Sequence, residues 1–162
     1  MPLLVRKIEK AKWMQNDVVG GEDISADAIT NCMKTTGNTL STWQIPLESD
    51  VPEALLAIVS GHQHLDAIDI VCLDRESLEN KGLTLEPTPG NTPIKDLVDR
   101  HIDISKLTYT TLGVVGKDIV EEIKKKKVIR YTKGMLKRLL NDAMLKGRFL
   151  RDDLNESLRN RL

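Results

Sequence analysis

Apolar positions along the chain change their spacing several times, and each change marks an element. The run Leu3-Leu4-Val5-Arg6-Lys7-Ile8 predicts a first short strand. Asn16 to Asp23, with Gly20-Gly21, predicts a turn or loop. Ser25 then stands as an N-cap before Ala26, and Ile24 and Ile29 occupy the two positions of a hydrophobic staple, so a helix is expected over residues 26–34. Gly37-Asn38 ends it. Thr39 to Ile45, β-branched and carrying Trp43, predicts a strand stopped by Pro46. Asp50, followed by Pro52 and Glu53, predicts a capped helix with Leu55, Leu56, Ile58 and Val59 on a broad apolar face, ending near Gly61. Ala67 to Leu73 is apolar at every position except Asp69, the pattern of a central strand covered on both faces. Arg75 to Asn80 predicts a short helical turn closed by Gly82, and Leu83-Thr84-Leu85 a strand ending at Pro87.

The second half reads as mainly helical. Glu86 to Pro93 holds Pro87, Pro89, Gly90 and Pro93, too many breakers for regular structure, and so predicts a loop at a boundary. Thr92 caps an expected helix through Ile94, Leu97, Val98 and Ile102. From Tyr109 onward Leu112, Val115, Ile119 and Ile123 keep helical spacing, with Glu121 and Glu122 four residues before Lys125 and Lys126. Val128 to Tyr131 reads as a brief strand or a linker. Thr132 caps a further helix that carries Leu136, Leu139, Leu140, Ala143 and Met144 and stops at Gly147. Leu150, Leu154, Leu158 and Leu162 then recur every four residues in a polar tail, predicting a last amphipathic helix that needs a surface to lie against.

This order of elements predicts an α/β or α+β fold, a small mixed sheet covered by helices with a helical C-terminal region. Residues 1–90 are expected to form the α/β core and residues 91–162 a helical remainder packed on the same domain. At 162 residues, 40% of them apolar, the chain can bury a core without metals or disulfides. Trp13, Trp43, Tyr109, Tyr131 and Phe149 are its only aromatic residues, so that core must be aliphatic. Cys32 and Cys72 both fall in apolar segments and read as core residues. Charged Arg6, Lys7, Glu9 and Lys10 follow the first residues at once, leaving no signal-peptide core, and no apolar run is long enough to span a membrane, so a cytoplasmic location is expected.

The net charge of zero conceals a separation. Residues 48–103 hold twelve acids and four bases, whereas residues 117–162 hold fourteen bases and seven acids. An acidic surface and a basic surface can meet within one molecule or between two. The densest stretch has eight bases and no acid across fifteen residues: Lys124, Lys125, Lys126, Lys127, Arg130, Lys133, Lys137 and Arg138. Such a segment attracts a phosphate backbone or an acidic partner. It equally suits a solvated helix end, where cations favour the negative end of the helix dipole.

Two short stretches resemble known families. His62-Gln63-His64-Leu65-Asp66 resembles the His-x-His-x-Asp element of metallo-β-lactamase-type hydrolases, with Ala67 where that family has a histidine. The resemblance implies His62, His64 and Asp66 as candidate ligands of a divalent ion. Leu112-Gly113-Val114-Val115-Gly116-Lys117-Asp118-Ile119 resembles the Gly-x-x-Gly element of KH RNA-binding domains, with valines at the centre where that family places basic or small residues. It implies a loop between two helices that approaches a nucleic-acid backbone; otherwise the glycines serve a close helix crossing. Asp69, an acid within an apolar strand, must find a partner: His64, His101 or Asp103 in an acid–base site, or an arginine in a structural pair. No phosphate-loop, dinucleotide-binding, Cys-x-x-Cys or serine-hydrolase element is present, and no cofactor is expected.

The expectation is therefore a non-catalytic protein-interaction component, contacting a partner or a second copy through the C-terminal helices and Leu150, Leu154, Leu158 and Leu162. The alternatives are nucleic-acid binding through residues 124–138 and metal-assisted hydrolysis around His62, His64 and Asp66.

Overall fold

The computed structural model describes residues 1–13 and 24–162; the turn expected over Asn16 to Asp23 lies outside them. The fold is α+β. Its six strands are β1 (Leu3–Ile8), β2 (Leu40–Ile45), β3 (Ile68–Asp74), β4 (Thr84–Pro87), β5 (His101–Ser105) and β6 (Ile129–Tyr131), forming one open sheet in the order β4-β5-β2-β1-β3-β6. Every pairing in it is antiparallel.

Register sorts the side chains between two faces. Val5 lies opposite Trp43 and Cys72, and Leu4 opposite Gln44 and Leu73. On one face Val5, Trp43, Ile45, Ile68 and Ile70 pack under helices α3 (Val51–Ser60) and α6 (Lys133–Leu145). On the other, Leu4, Leu40, Val71, Leu73, Ile102 and Ile104 pack against the short α1 (Lys10–Trp13), through Trp13, and against α2 (Ala26–Cys32), α4 (Arg75–Asn80) and α5 (Tyr109–Lys124). Burial on both faces is why Ile68–Leu73 is almost continuously apolar. Local chemistry sets the helix starts. Ser25, Asp74, Thr108 and Thr132 each accept a backbone N–H of the first turn, from Ala28, Ser77, Thr111 and Met135.

Four expectations are corrected. Asp50 precedes α3 but caps nothing there; its carboxylate instead accepts the Leu47 N–H at 3.2 Å and closes a 3₁₀ turn over Glu48–Asp50. The helix expected from Thr92 through Ile102 is a 3₁₀ segment, Lys95–Arg100, followed by β5, which sits between β4 and β2 in the sheet. Alternating burial of Ile102 and Ile104 on one face fits a strand better than a helix, and pairing on both sides outweighs the helical spacing of the apolar residues. The lysines at the end of α5 pair at a spacing of three residues instead of the expected four, Lys124 with Glu121 and Lys125 with Glu122. Gly113 and Gly116 lie inside α5 rather than in a loop between two helices, against the KH-like reading. A Cβ on Gly116 would stand 2.2 Å from the Ile24 side chain, so this glycine permits a close approach to the chain before α2.

The tail also differs from expectation. Residues 150–162 form a 3₁₀ turn (Arg151–Asp153) and a single α-turn, α7 (Glu156–Arg159), not one amphipathic helix. Asp153 accepts the Leu150 N–H at 2.7 Å and Asn155 accepts the Ser157 N–H at 3.0 Å, so short polar side chains restart the backbone twice. Leu154 (4% exposed) and Leu158 (fully buried) enter the core beneath α3, Leu162 packs at its margin, and Leu150 remains 70% exposed. Arg148 ties this region down through a two-pronged pair with Glu53 at 2.9 and 2.8 Å and a bond to Asp96 at 2.7 Å. Replacing Leu158 with Ala is expected to lower stability by about 2–4 kcal/mol, as for other fully buried leucines, measured by urea unfolding. Leu150→Ala, by contrast, should fall within ~0.5 kcal/mol of the parent.

Candidate functional site

The residues singled out by sequence are dispersed. In the basic segment, Lys124 and Lys125 are paired as described, Arg130 is bonded to Asp69 at 3.1 Å, and Lys137 donates to the Arg161 carbonyl at 3.3 Å. Lys126, Lys127, Lys133 and Arg138 make no ion pair among the described residues, and they divide between the turn after α5 and the surface of α6. His62 is half-buried and His64 and Asp66 are exposed. Among the described residues no three His, Cys, Asp or Glu side chains are gathered to hold a metal ion, so the hydrolase-like triplet is not assembled. Asp69 takes the structural of its two readings: Arg130 stands opposite it in the ladder, and the Lys10 N–H bonds its second oxygen at 3.1 Å. Cys32 is buried, Cys72 half-buried, and both are free thiols.

A different site follows from the sheet itself. The ladder between β1 and β2 covers only Leu3, Leu4 and Val5 against Ile45, Gln44 and Trp43. Beyond that point β1 continues along β3 to Ile8, while β2 continues along β5 to Leu40. The two strands therefore part, and the Arg6 side chain bridges them. Its Nη1 donates to the Ser41 carbonyl at 2.7 Å and its Nη2 to the Cys32 carbonyl, satisfying backbone oxygens at the gap. Arg6 Nε is fully enclosed and has no hydrogen-bond partner. Burial lowers the guanidinium pKa to about 10, still well above neutrality, so the group stays charged.

Over this split lies a cleft of about 440 Å³, whose lining includes Arg6, Lys7, Trp43, Ile58, His62 and His101. The proline-rich segment expected as a boundary loop forms its wall. Gly90 donates to the Val98 carbonyl at 2.9 Å, and Thr92 meets the Ser60 hydroxyl at 2.8 Å, which fastens the wall to the end of α3. Two glycines set its closeness: a Cβ on Gly90 would fall 2.3 Å from the Trp43 ring, and one on Gly61 would fall 2.0 Å from the Asn91 carbonyl oxygen.

Two imidazoles face this space under different constraints. His101 Nδ1 lies 2.8 Å from the Thr88 hydroxyl, which in turn donates to Asp103 at 2.8 Å. With the single hydroxyl proton directed to the carboxylate, Nδ1 must be the donor to Thr88, so the neutral ring carries its lone pair on Nε2. The Trp43 ring meets His101 edge to face, centroids 5.0 Å apart, and holds the imidazole in place. His62 is held neutral. Burial, and then the positive charge of Lys7, lower its pKa to about 4.

The arrangement can hold a small polar molecule. Trp43 and Ile58 supply apolar wall, Lys7 and Arg6 positive charge, and Asn31 and Asn91 amides, with Glu9 as the acid of the lining. Sequence reasoning missed it because the gap arises from where two ladders stop, which no local pattern encodes. The available signal was Arg6-Lys7 within an otherwise apolar strand, and Gly90 among prolines.

No family model, curated protein sequence or solved structure matches the chain.

His62 is expected to titrate near pH 4 by NMR, against 6.5 for an unconstrained histidine. Between those values the unfolded chain binds a proton that the native state does not, so stability should fall as pH drops through this window. In His62→Gln that part of the decline should vanish in urea titrations at pH 6.5 and 4.5; an unchanged slope contradicts the assignment. For His101, long-range ¹H–¹⁵N spectra should show the proton on Nδ1, and Thr88→Val should shift it toward Nε2.

Proposed function

We propose that the chain is a non-catalytic binding protein whose working site is the cleft above the split between β1 and β2, and that it takes a small polar molecule there. The observation carrying this reading is the convergence of two cations, the imidazoles of His62 and His101 and a buried indole on one concave space of about 440 Å³. Concave sites of this size with a few fixed polar groups are where proteins hold small ligands. The two free cysteines suit a reducing compartment such as the cytoplasm. A library of small polar fragments followed by ¹H–¹⁵N NMR tests the proposal. Binders should shift the Trp43 indole together with the amides of Lys7, His62 and Asn91; if no fragment perturbs this group, the reading fails.

A second reading, contact with another protein or a second copy through the C-terminal region, has narrower support than the leucine spacing implied. Leu154 and Leu158 are occupied in the core, whereas Leu145 (87% exposed) and Leu150 (70% exposed) project on either side of the turn held by Arg148. Gly147, with φ of +70°, ends α6 and turns the chain between them. Large aliphatic side chains on a fixed corner offer a partner area at little entropic cost. Size-exclusion chromatography with light scattering and affinity capture, on the parent and on Leu145→Ser/Leu150→Ser, tests it. Loss of self-association or of a captured partner in the variant is the expected result, and identical behaviour of both proteins counts against it.

A further inference from the structure

We propose that the cleft is an oxyanion site, binding the carboxylate or phosphate group of a small molecule against Arg6 and Lys7; this rests on the reading of the cleft as a binding site. The argument begins with charge. Arg75, Arg130, Arg148 and Arg159 each meet a carboxylate, and Arg138, Arg151 and Arg161 are exposed to water. Arg6, whose Nε is entirely enclosed, meets none among the described residues, and its two bonds go to neutral backbone carbonyls. Carbonyl oxygens solvate a guanidinium without neutralising it, and an enclosed cation lacking a counter-charge is costly.

The surroundings extend the same field. Lys7, the next residue on β1, is exposed at the cleft, and its charge reaches His62 strongly enough to help hold that imidazole neutral. Glu9 is the acid of the lining, yet it forms no ion pair with Arg6 or Lys7. With His62 neutral, Arg6 and Lys7 stand in the described lining against the single carboxylate of Glu9. An anion placed there gains two cations, while Asn91, and the second N–H of Asn31 whose first goes to the Asp27 carbonyl at 2.8 Å, are donors on the lining for its remaining oxygens. A neutral or cationic ligand gains none of this. Thr88 and Asp103 engage His101 through Nδ1, which leaves Nε2 as the ring atom free to meet a ligand.

The test is an NMR titration with inorganic phosphate and, separately, succinate, at ionic strength held constant with potassium chloride. Saturable shifts are expected at the Arg6 Nε–H, the Trp43 indole and the Lys7 amide; the stronger of the two anions identifies which source of oxyanion the site prefers. Lys7→Gln, an exposed change that leaves the core intact, should weaken binding by about fivefold or more, and Lys7→Glu should abolish it. Lys146→Gln, far along the chain on the exposed end of α6, should leave it unchanged. Arg6→Met is made as well, with folding checked first by the dispersion of its amide spectrum. If neither anion binds saturably while neutral fragments still occupy the cleft, the oxyanion assignment is wrong and the binding reading survives. If neither anions nor neutral fragments bind, both fall. Anion binding that persists unaltered in Lys7→Glu also overturns the proposal, since the site then lies elsewhere.

Discussion

The constraint on which the structure depends is that one aliphatic sheet must be covered on both faces by a chain with few aromatic residues. Leu, Ile and Val side chains bury modest area each, so the core is assembled from many of them in two layers, one under α3 and α6 and one under α2, α4 and α5. That requirement explains why the last residues fold back. Leu154, Leu158 and Phe149 close the α3–α6 layer, and the Arg148 pair with Glu53 holds the returning chain against it. It also brings acid and base together: Glu53 and Asp96 from the acidic middle of the sequence receive an arginine from its basic end.

Against this background Arg6 is the departure. A strand crossing the centre of a sheet ordinarily spends its side chains on packing, yet here one is spent on bridging a gap between two ladders. The gap costs little in backbone terms, because the guanidinium satisfies the Ser41 carbonyl on β2 and also the Cys32 carbonyl at the end of α2. What remains above it is a concave surface with polar groups held by β1, α2, β2, the end of α3, the 88–93 segment and β5. Gly90 and Gly61 show how tightly that wall is fitted, since neither position admits a methyl group without displacing Trp43 or the Asn91 backbone.

Much of the fold was legible where one element's chemistry is local. Ser25 and Thr132 announced their helices, Pro46 ended β2, and the run Ile68–Leu73, apolar except at Asp69, announced a strand buried on both faces. Legibility failed where distant partners decide. Ile94, Leu97, Val98 and Ile102 have helical spacing, yet pairing with β2 and β4 makes a strand of His101–Ser105. Leu150, Leu154, Leu158 and Leu162 repeat with a helical period, but Asp153 and Asn155 break the backbone between them, and the shared spacing records burial in two separate turns. The cleft was illegible for the same reason. Arg6, Trp43, His62 and His101 come from separate elements, and only the stopping points of two ladders bring them together.

The three-residue strand β6 leaves one margin of the sheet open, with Lys124 to Lys127 before it and Arg130 and Lys133 on and after it. Like charges there repel the matching margin of any neighbouring molecule, which keeps an unfinished row of amides and carbonyls from templating fibrous growth.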